Sequence, residues 1–70
     1  MVNQMVLSSE IEWIGYEKST KMLQVEFIAG NVYQYANVPE AIYQEFLNVP
    51  SHGRYFETQI KGRFPYRKVR

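Results

Sequence analysis

The sequence predicts an α+β fold: a three-stranded antiparallel meander packed with two short helices, with room for a short fourth strand at the C-terminal end. Three observations predict it. Within Met22 to Ile28 apolar Leu23, Val25 and Phe27 alternate with polar Gln24 and Glu26, turn chemistry flanks that segment, and the hydrophobic period changes after Asn37. Ile11 to Tyr16 is rich in β-branched and aromatic residues but loses its alternation at Ile14-Gly15, which predicts a strand with a bulge at Gly15. Lys18 to Lys21 is the turn that follows. In the next strand Leu23, Val25 and Phe27 share one face, and Gln24 and Glu26 the other. Ala29-Gly30-Asn31 supplies residues that tolerate positive φ, and Val32 to Tyr35 returns as the third strand.

Pro39 suits the first position of a helix, because its missing N–H has no partner there, and Glu40 favours the positive helix end. Ile42, Tyr43, Phe46 and Leu47 build one apolar helical face, and Pro50 ends the helix near Asn48. Ser51 is an N-cap for a second helix reaching about Lys61, with Phe56 and Ile60 on its inner side and Gly62 closing it. Phe64 to Val69 reads as extended, a last edge strand in which Pro is tolerated and Lys and Arg deter further pairing.

A chain of 70 residues gives one domain, 1–70, since domains of this size bury only about 60% of the surface their unfolded chains expose. With 46% hydrophobic and 21% charged residues the composition is that of a folding chain. There is no cysteine, which excludes disulfides, thiolate-bound metals and thiol nucleophiles and fits a reducing compartment. Met1 to Ser9 has neither a basic leader nor a long apolar run, so a cytoplasmic location without membrane contact is expected.

Charge is divided unevenly along the chain. Residues 1–53 hold six glutamates against Lys18 and Lys21, a balance of −4. Residues 54–70 hold Arg54, Lys61, Arg63, Arg67, Lys68 and Arg70 against Glu57 alone, a balance of +5. Such one-sidedness is the footprint of a surface that meets polyanions, although a solvated basic tail has the same composition.

Catalytic and metal chemistry finds little support. His52 is the single histidine and no aspartate is present, so adjacent Ser51-His52 reads as a cap beside a surface histidine rather than as part of a triad. Glu10 and Glu12 lack His or Cys partners and read as solvated. Gly30 has no companion glycines for a phosphate loop, and Lys61-Gly62-Arg63-Phe64 echoes an RNA-recognition strand in a chain too short for that domain. No catalytic residue, metal or cofactor is expected. Trp13 is expected in the core, with an exposed anchor for a partner as the alternative.

Tyr33 and Tyr35 sit two apart on a strand and share a face. A two-residue Gly30-Asn31 turn would turn both rings away from Leu23, Val25 and Phe27, making them an exposed platform for stacking unpaired bases. A three-residue Ala29-Gly30-Asn31 loop, with Phe27 opposite Tyr33 and Val25 opposite Tyr35, would turn them into the core.

The segments Ser8 to Tyr16 (SSEIEWIGY), Leu23 to Tyr35 (LQVEFIAGNVYQY), Val38 to Tyr43 (VPEAIY) and Ser51 to Lys61 (SHGRYFETQIK), followed by FPYRKV, together resemble the KTSC family. The resemblance covers nearly the whole chain. It implies kinship with a domain found at the C-terminal end of some lysyl-tRNA synthetases and as small bacterial proteins, and with it a role in RNA binding. It implies no catalytic residues. Where the resemblance implies Asn after Tyr55-Phe56 this chain has Glu57, a negative charge that weakens phosphate contact by Tyr55 to Lys61.

The sequence therefore predicts a non-enzymatic binding module for tRNA or single-stranded RNA. Arg54, Lys61, Arg63, Arg67, Lys68 and Arg70 are the expected phosphate contacts, and Tyr33, Tyr35 and Tyr66 the stacking rings. The alternative is an interaction module that joins a protein partner or a second copy of itself.

Overall fold

The computed structural model describes residues 2–70, which form a five-stranded antiparallel meander with two helices on one face. The strands are β1 (Val2–Met5), β2 (Ile11–Glu17), β3 (Met22–Phe27), β4 (Val32–Tyr35) and β5 (Tyr66–Lys68), neighbours in that order. Helices α1 (Glu40–Asn48) and α2 (His52–Tyr55) lie between β4 and β5, and α2 continues into a π-helical turn over Phe56–Ile60. The expected α+β class holds, with five strands in place of three or four. The added strand is β1, whose four residues are all exposed and so carry no burial period to read.

The bulge falls elsewhere than expected. Gly15 pairs regularly with Gln24, and the register shifts instead between Ile11 and Trp13. Trp13 consequently lies on the face opposite Ile14, away from the helices, half-buried and opposite Glu26 rather than in the core.

The core forms where Ile11, Ile14, Leu23, Val25 and Tyr35 of the sheet meet Val38, Tyr43, Phe46, Tyr55, Phe56 and Ile60. Seven of its side chains are fully buried, Phe46 the largest. Phe46 stacks on Tyr55 at 5.4 Å, and Tyr16 stacks on Tyr43 at 4.8 Å while donating to the Val38 carbonyl. The Ser51 hydroxyl accepts from the Arg54 amide at 3.2 Å, the N-cap read from the sequence. His52, expected at the surface, is buried against Phe46, and neither ring nitrogen has a hydrogen-bond partner among the described residues.

The other face of the sheet is polar. Gln34 donates to Gln24 at 2.9 Å, and Arg67 donates to Gln34 through Nε at 3.3 Å and Nη2 at 3.1 Å.

Candidate nucleic-acid interface

The hairpin between β3 and β4 decides where the tyrosines go. Phe27 donates to the Asn31 carbonyl at 2.8 Å, so Glu26 faces Val32, Val25 faces Tyr33 and Leu23 faces Tyr35. This register is two residues from the three-residue-loop expectation and one more from the two-residue turn. Because side chains alternate with period two, an even displacement preserves the face, and both rings join Leu23 and Val25 on the helix side. Gly30, at φ +107°, makes the turn in a region that favours glycine.

On that side the aromatics build a cleft of about 280 Å³, lined by Phe27, Tyr33, Tyr35, Phe56, Tyr66 and Lys61, with Asn31 and Glu57 at its polar positions. Tyr35 is 3% exposed and forms the floor. Tyr66 is 63% exposed; its ring lies 5.6 Å from Tyr35, 29° from parallel, and 6.0 Å from Tyr33 at a steep angle. Phe27 meets Tyr33 at 5.7 Å and Phe56 at 5.3 Å, both edge to face, which locks the inner walls in a geometry favourable for ring quadrupoles. Burial pushes the Tyr35 phenol up to about 12, assisted by the nearby Tyr33 and Tyr66 hydroxyls and the Glu57 carboxylate. The Tyr35 phenol at the floor thus stays neutral at physiological pH.

The π-helical turn sets the rim. Lys61 donates to the Phe56 carbonyl at 2.9 Å, five residues back, and this wide turn carries Phe56, Glu57 and Lys61 to the cleft. The Lys61 ammonium lies 3.7 Å from Glu57 Oε1, both side chains more than half exposed. Gly62, at φ +80°, then reverses the chain toward β5.

The expected cations do not form one surface. Strand alternation in Tyr66-Arg67-Lys68 puts Tyr66 opposite Tyr35 and Lys68 opposite Tyr33, on the cleft side, and puts Arg67 opposite Gln34 on the far face. Arg70 is also drawn to the far face, where its Nη2 lies 3.1 Å from Glu26 Oε2. Arg54 lines a separate groove with Glu45, Ser51 and Tyr55, in which the Tyr55 hydroxyl donates to Glu45. Arg63 turns back to donate to the Thr58 carbonyl at 3.0 Å. Of the nine expected site residues, Tyr33, Tyr35, Tyr66, Lys61 and Lys68 share a face. Arg54, Arg63, Arg67 and Arg70 do not join them. Phe27, Asn31, Phe56 and Glu57 complete the cleft; the alternation of β3 and the Phe56/Ile60 spacing marked the aromatics as inward-facing without marking them as a wall.

Among the described residues no group of His, Cys, Asp and Glu is able to hold a metal, and no helix is long and apolar enough to cross a membrane. Fold and cleft together define a small antiparallel α+β domain with an aromatic recess on its helix-bearing face. The KTSC domain model matches residues 7–64, and the chain belongs to the KTSC domain family.

A lysine–tRNA ligase of Trichormus variabilis is 44% identical over 54 residues, covering 77% of this chain and 10% of the ligase. A Tsukamurella paurometabola protein is 36% identical over 61 residues, covering 87% of this chain and 91% of that protein. The crystal structure of a KTSC domain protein from Yersinia pestis superposes with a TM-score of 0.92 at 43% identity, over 99% of this chain and 97% of that one. The chain spans about a tenth of the length of the ligases it matches.

Proposed function

We propose that this protein is a non-catalytic RNA-binding module that holds an unpaired base against Tyr66 and takes the adjoining phosphates on Lys61 and Lys68. The observation that carries the reading is the partly exposed tyrosine cluster, bordered by ammonium groups on the same face. Base–aromatic stacking beside a cation is how single strands are held without sequence readout. Kinship with a tenth of a lysine–tRNA ligase supports RNA as the polyanion, since that relative's substrate is a tRNA. Arg67 and Arg70, on the far face, are left outside the contact. The test is fluorescence anisotropy with a labelled single-stranded oligoribonucleotide and a duplex of equal length. Preference for the single strand is expected, and equal or tighter binding to the duplex overturns the stacking mode.

A second reading, self-association, is favoured by the β1 edge. Val2–Met5 has no charge and no proline, and Val2, Met5 and Leu7 are exposed, whereas the opposite edge carries Arg67 and Lys68. An uncharged edge strand is a template for pairing with another strand. Sedimentation equilibrium that gives the monomer mass at high concentration removes this reading.

A further inference from the structure

We infer that the cleft selects guanine. The inference rests on the RNA-binding reading above and adds the base that the site takes. An aromatic recess by itself accepts any base, because every base has a π-face. Glu57 changes that. It lines the recess together with Tyr33, Tyr35 and Tyr66, and an ionised carboxylate is an acceptor with no donor to offer. Guanine alone among the four RNA bases presents two adjacent donors, N1–H and the 2-amino group, on its Watson–Crick edge. Adenine and cytosine each set one donor beside an acceptor lone pair, and uracil sets one donor between two carbonyls. A base stacked on Tyr66 with its edge toward Glu57 would therefore make a bidentate, charge-assisted pair only if it is guanine. The other three would face the carboxylate with at least one lone pair.

The plain reading of Glu57 is a surface ion pair with Lys61, one helical turn away. At 3.7 Å that contact is coulombic and too long for a hydrogen bond, so the carboxylate keeps acceptor capacity for a ligand. Lys61 in turn offsets the repulsion that Glu57 would exert on a backbone phosphate. The recess, at about 280 Å³, lies just under the usual range of roughly 300–1,000 Å³ for small-molecule sites and suits a single base.

The experiment compares fluorescein-labelled hexaribonucleotides UUGUUU, UUAUUU, UUCUUU and UUUUUU, together with UUIUUU, in which inosine lacks the 2-amino donor. The G-containing oligomer is expected to bind about tenfold tighter than those with A, C or U, with inosine between. Glu57→Gln, whose amide offers one donor and one acceptor, should reduce the preference to less than about threefold. Its melting midpoint, measured alongside, should be unchanged. Equal binding of all five oligomers to the wild type would overturn guanine selection and leave RNA binding standing. A tenfold preference that survives Glu57→Gln would overturn the role of the carboxylate. Binding of none of them would overturn the RNA reading itself, and the selectivity with it.

Discussion

Tyr66→Ala separates a binding ring from a structural one. Tyr66 is 63% exposed, so about a third of its side chain is buried, against Tyr35 and Tyr33. A fully buried aromatic removes about 150–250 Å² from water, so a third is about 50–80 Å², worth about 1–2 kcal/mol at about 25 cal/mol per Å². Domains are stable by roughly 0.05–0.15 kcal/mol per residue, or roughly 4–10 kcal/mol for this chain, so the variant stays folded. Loss of a stacking ring costs about 1–3 kcal/mol per base, an affinity drop of about 5- to 150-fold. Anisotropy with a single-stranded oligoribonucleotide measures that drop, and circular dichroism melting verifies the fold. Tyr66→Phe, which keeps the ring, should stay within about twofold of wild type. Arg54→Ala, in the separate groove, should leave affinity unchanged. A folded Tyr66→Ala protein that binds like wild type rules out Tyr66 as the stacking ring.

Further predictions concern the fold. Phe46→Ala removes the largest fully buried side chain, which stacks on Tyr55, and should cost about 3–5 kcal/mol, a fall of at least about 12 °C in the thermal midpoint; an unchanged midpoint refutes this. His52→Leu replaces a buried ring with two unpartnered nitrogens by an apolar group and should raise the unfolding free energy by about 1 kcal/mol, read as a higher urea midpoint; a lower midpoint refutes this. The phenol of Tyr35 is pushed up to about 12 by burial and its acidic neighbours, and that of Tyr55 to about 12 by burial and then by donation to Glu45. Folded pKa values above unfolded ones mean that this stability is complete below about pH 10 and is lost as pH rises toward 12. Denaturant midpoints should therefore fall across that window, and Tyr55→Phe should flatten the decline.

Much of the fold is legible because its signals are local. β3 alternates from Leu23 to Phe27, Ser51 caps α2, and Pro50 separates the helices. β1 escapes because an edge strand exposed on both faces has no burial period to write into Val2-Asn3-Gln4-Met5. The widening of α2 into a π-helical turn escapes because a five-residue hydrogen bond leaves the Phe56/Ile60 spacing of an ordinary helix intact. Trp13 is misplaced for a sharper reason: the register shift lies before it rather than at Gly15, and one residue of shift exchanges the faces.

The tyrosines show how parity protects a prediction. Phe27 pairs with Asn31, a register outside both turns weighed from sequence, yet the even displacement still places the rings with Val25 and Leu23. The cations show the opposite. Summing charge along residues 54–70 conceals that Arg67 must face away from Tyr66 and Lys68 once this segment becomes a strand. The period of two held that information; the net charge did not. Glu57, an argument against phosphate contact when read in sequence, becomes a rim residue when the π-helical turn carries it beside Lys61 and the recess.

A two-cation contact around a stacked base has a distinctive salt dependence. For single strands the logarithm of affinity falls against the logarithm of salt concentration with a slope of about −0.7 per phosphate neutralised. Lys61 and Lys68 alone predict a slope of about −1.4, whereas engagement of all six C-terminal cations would give about −4. A slope near the first value, reduced by about 0.7 in Lys68→Ala, is the expected result. A slope near zero, or one near −4, contradicts the account.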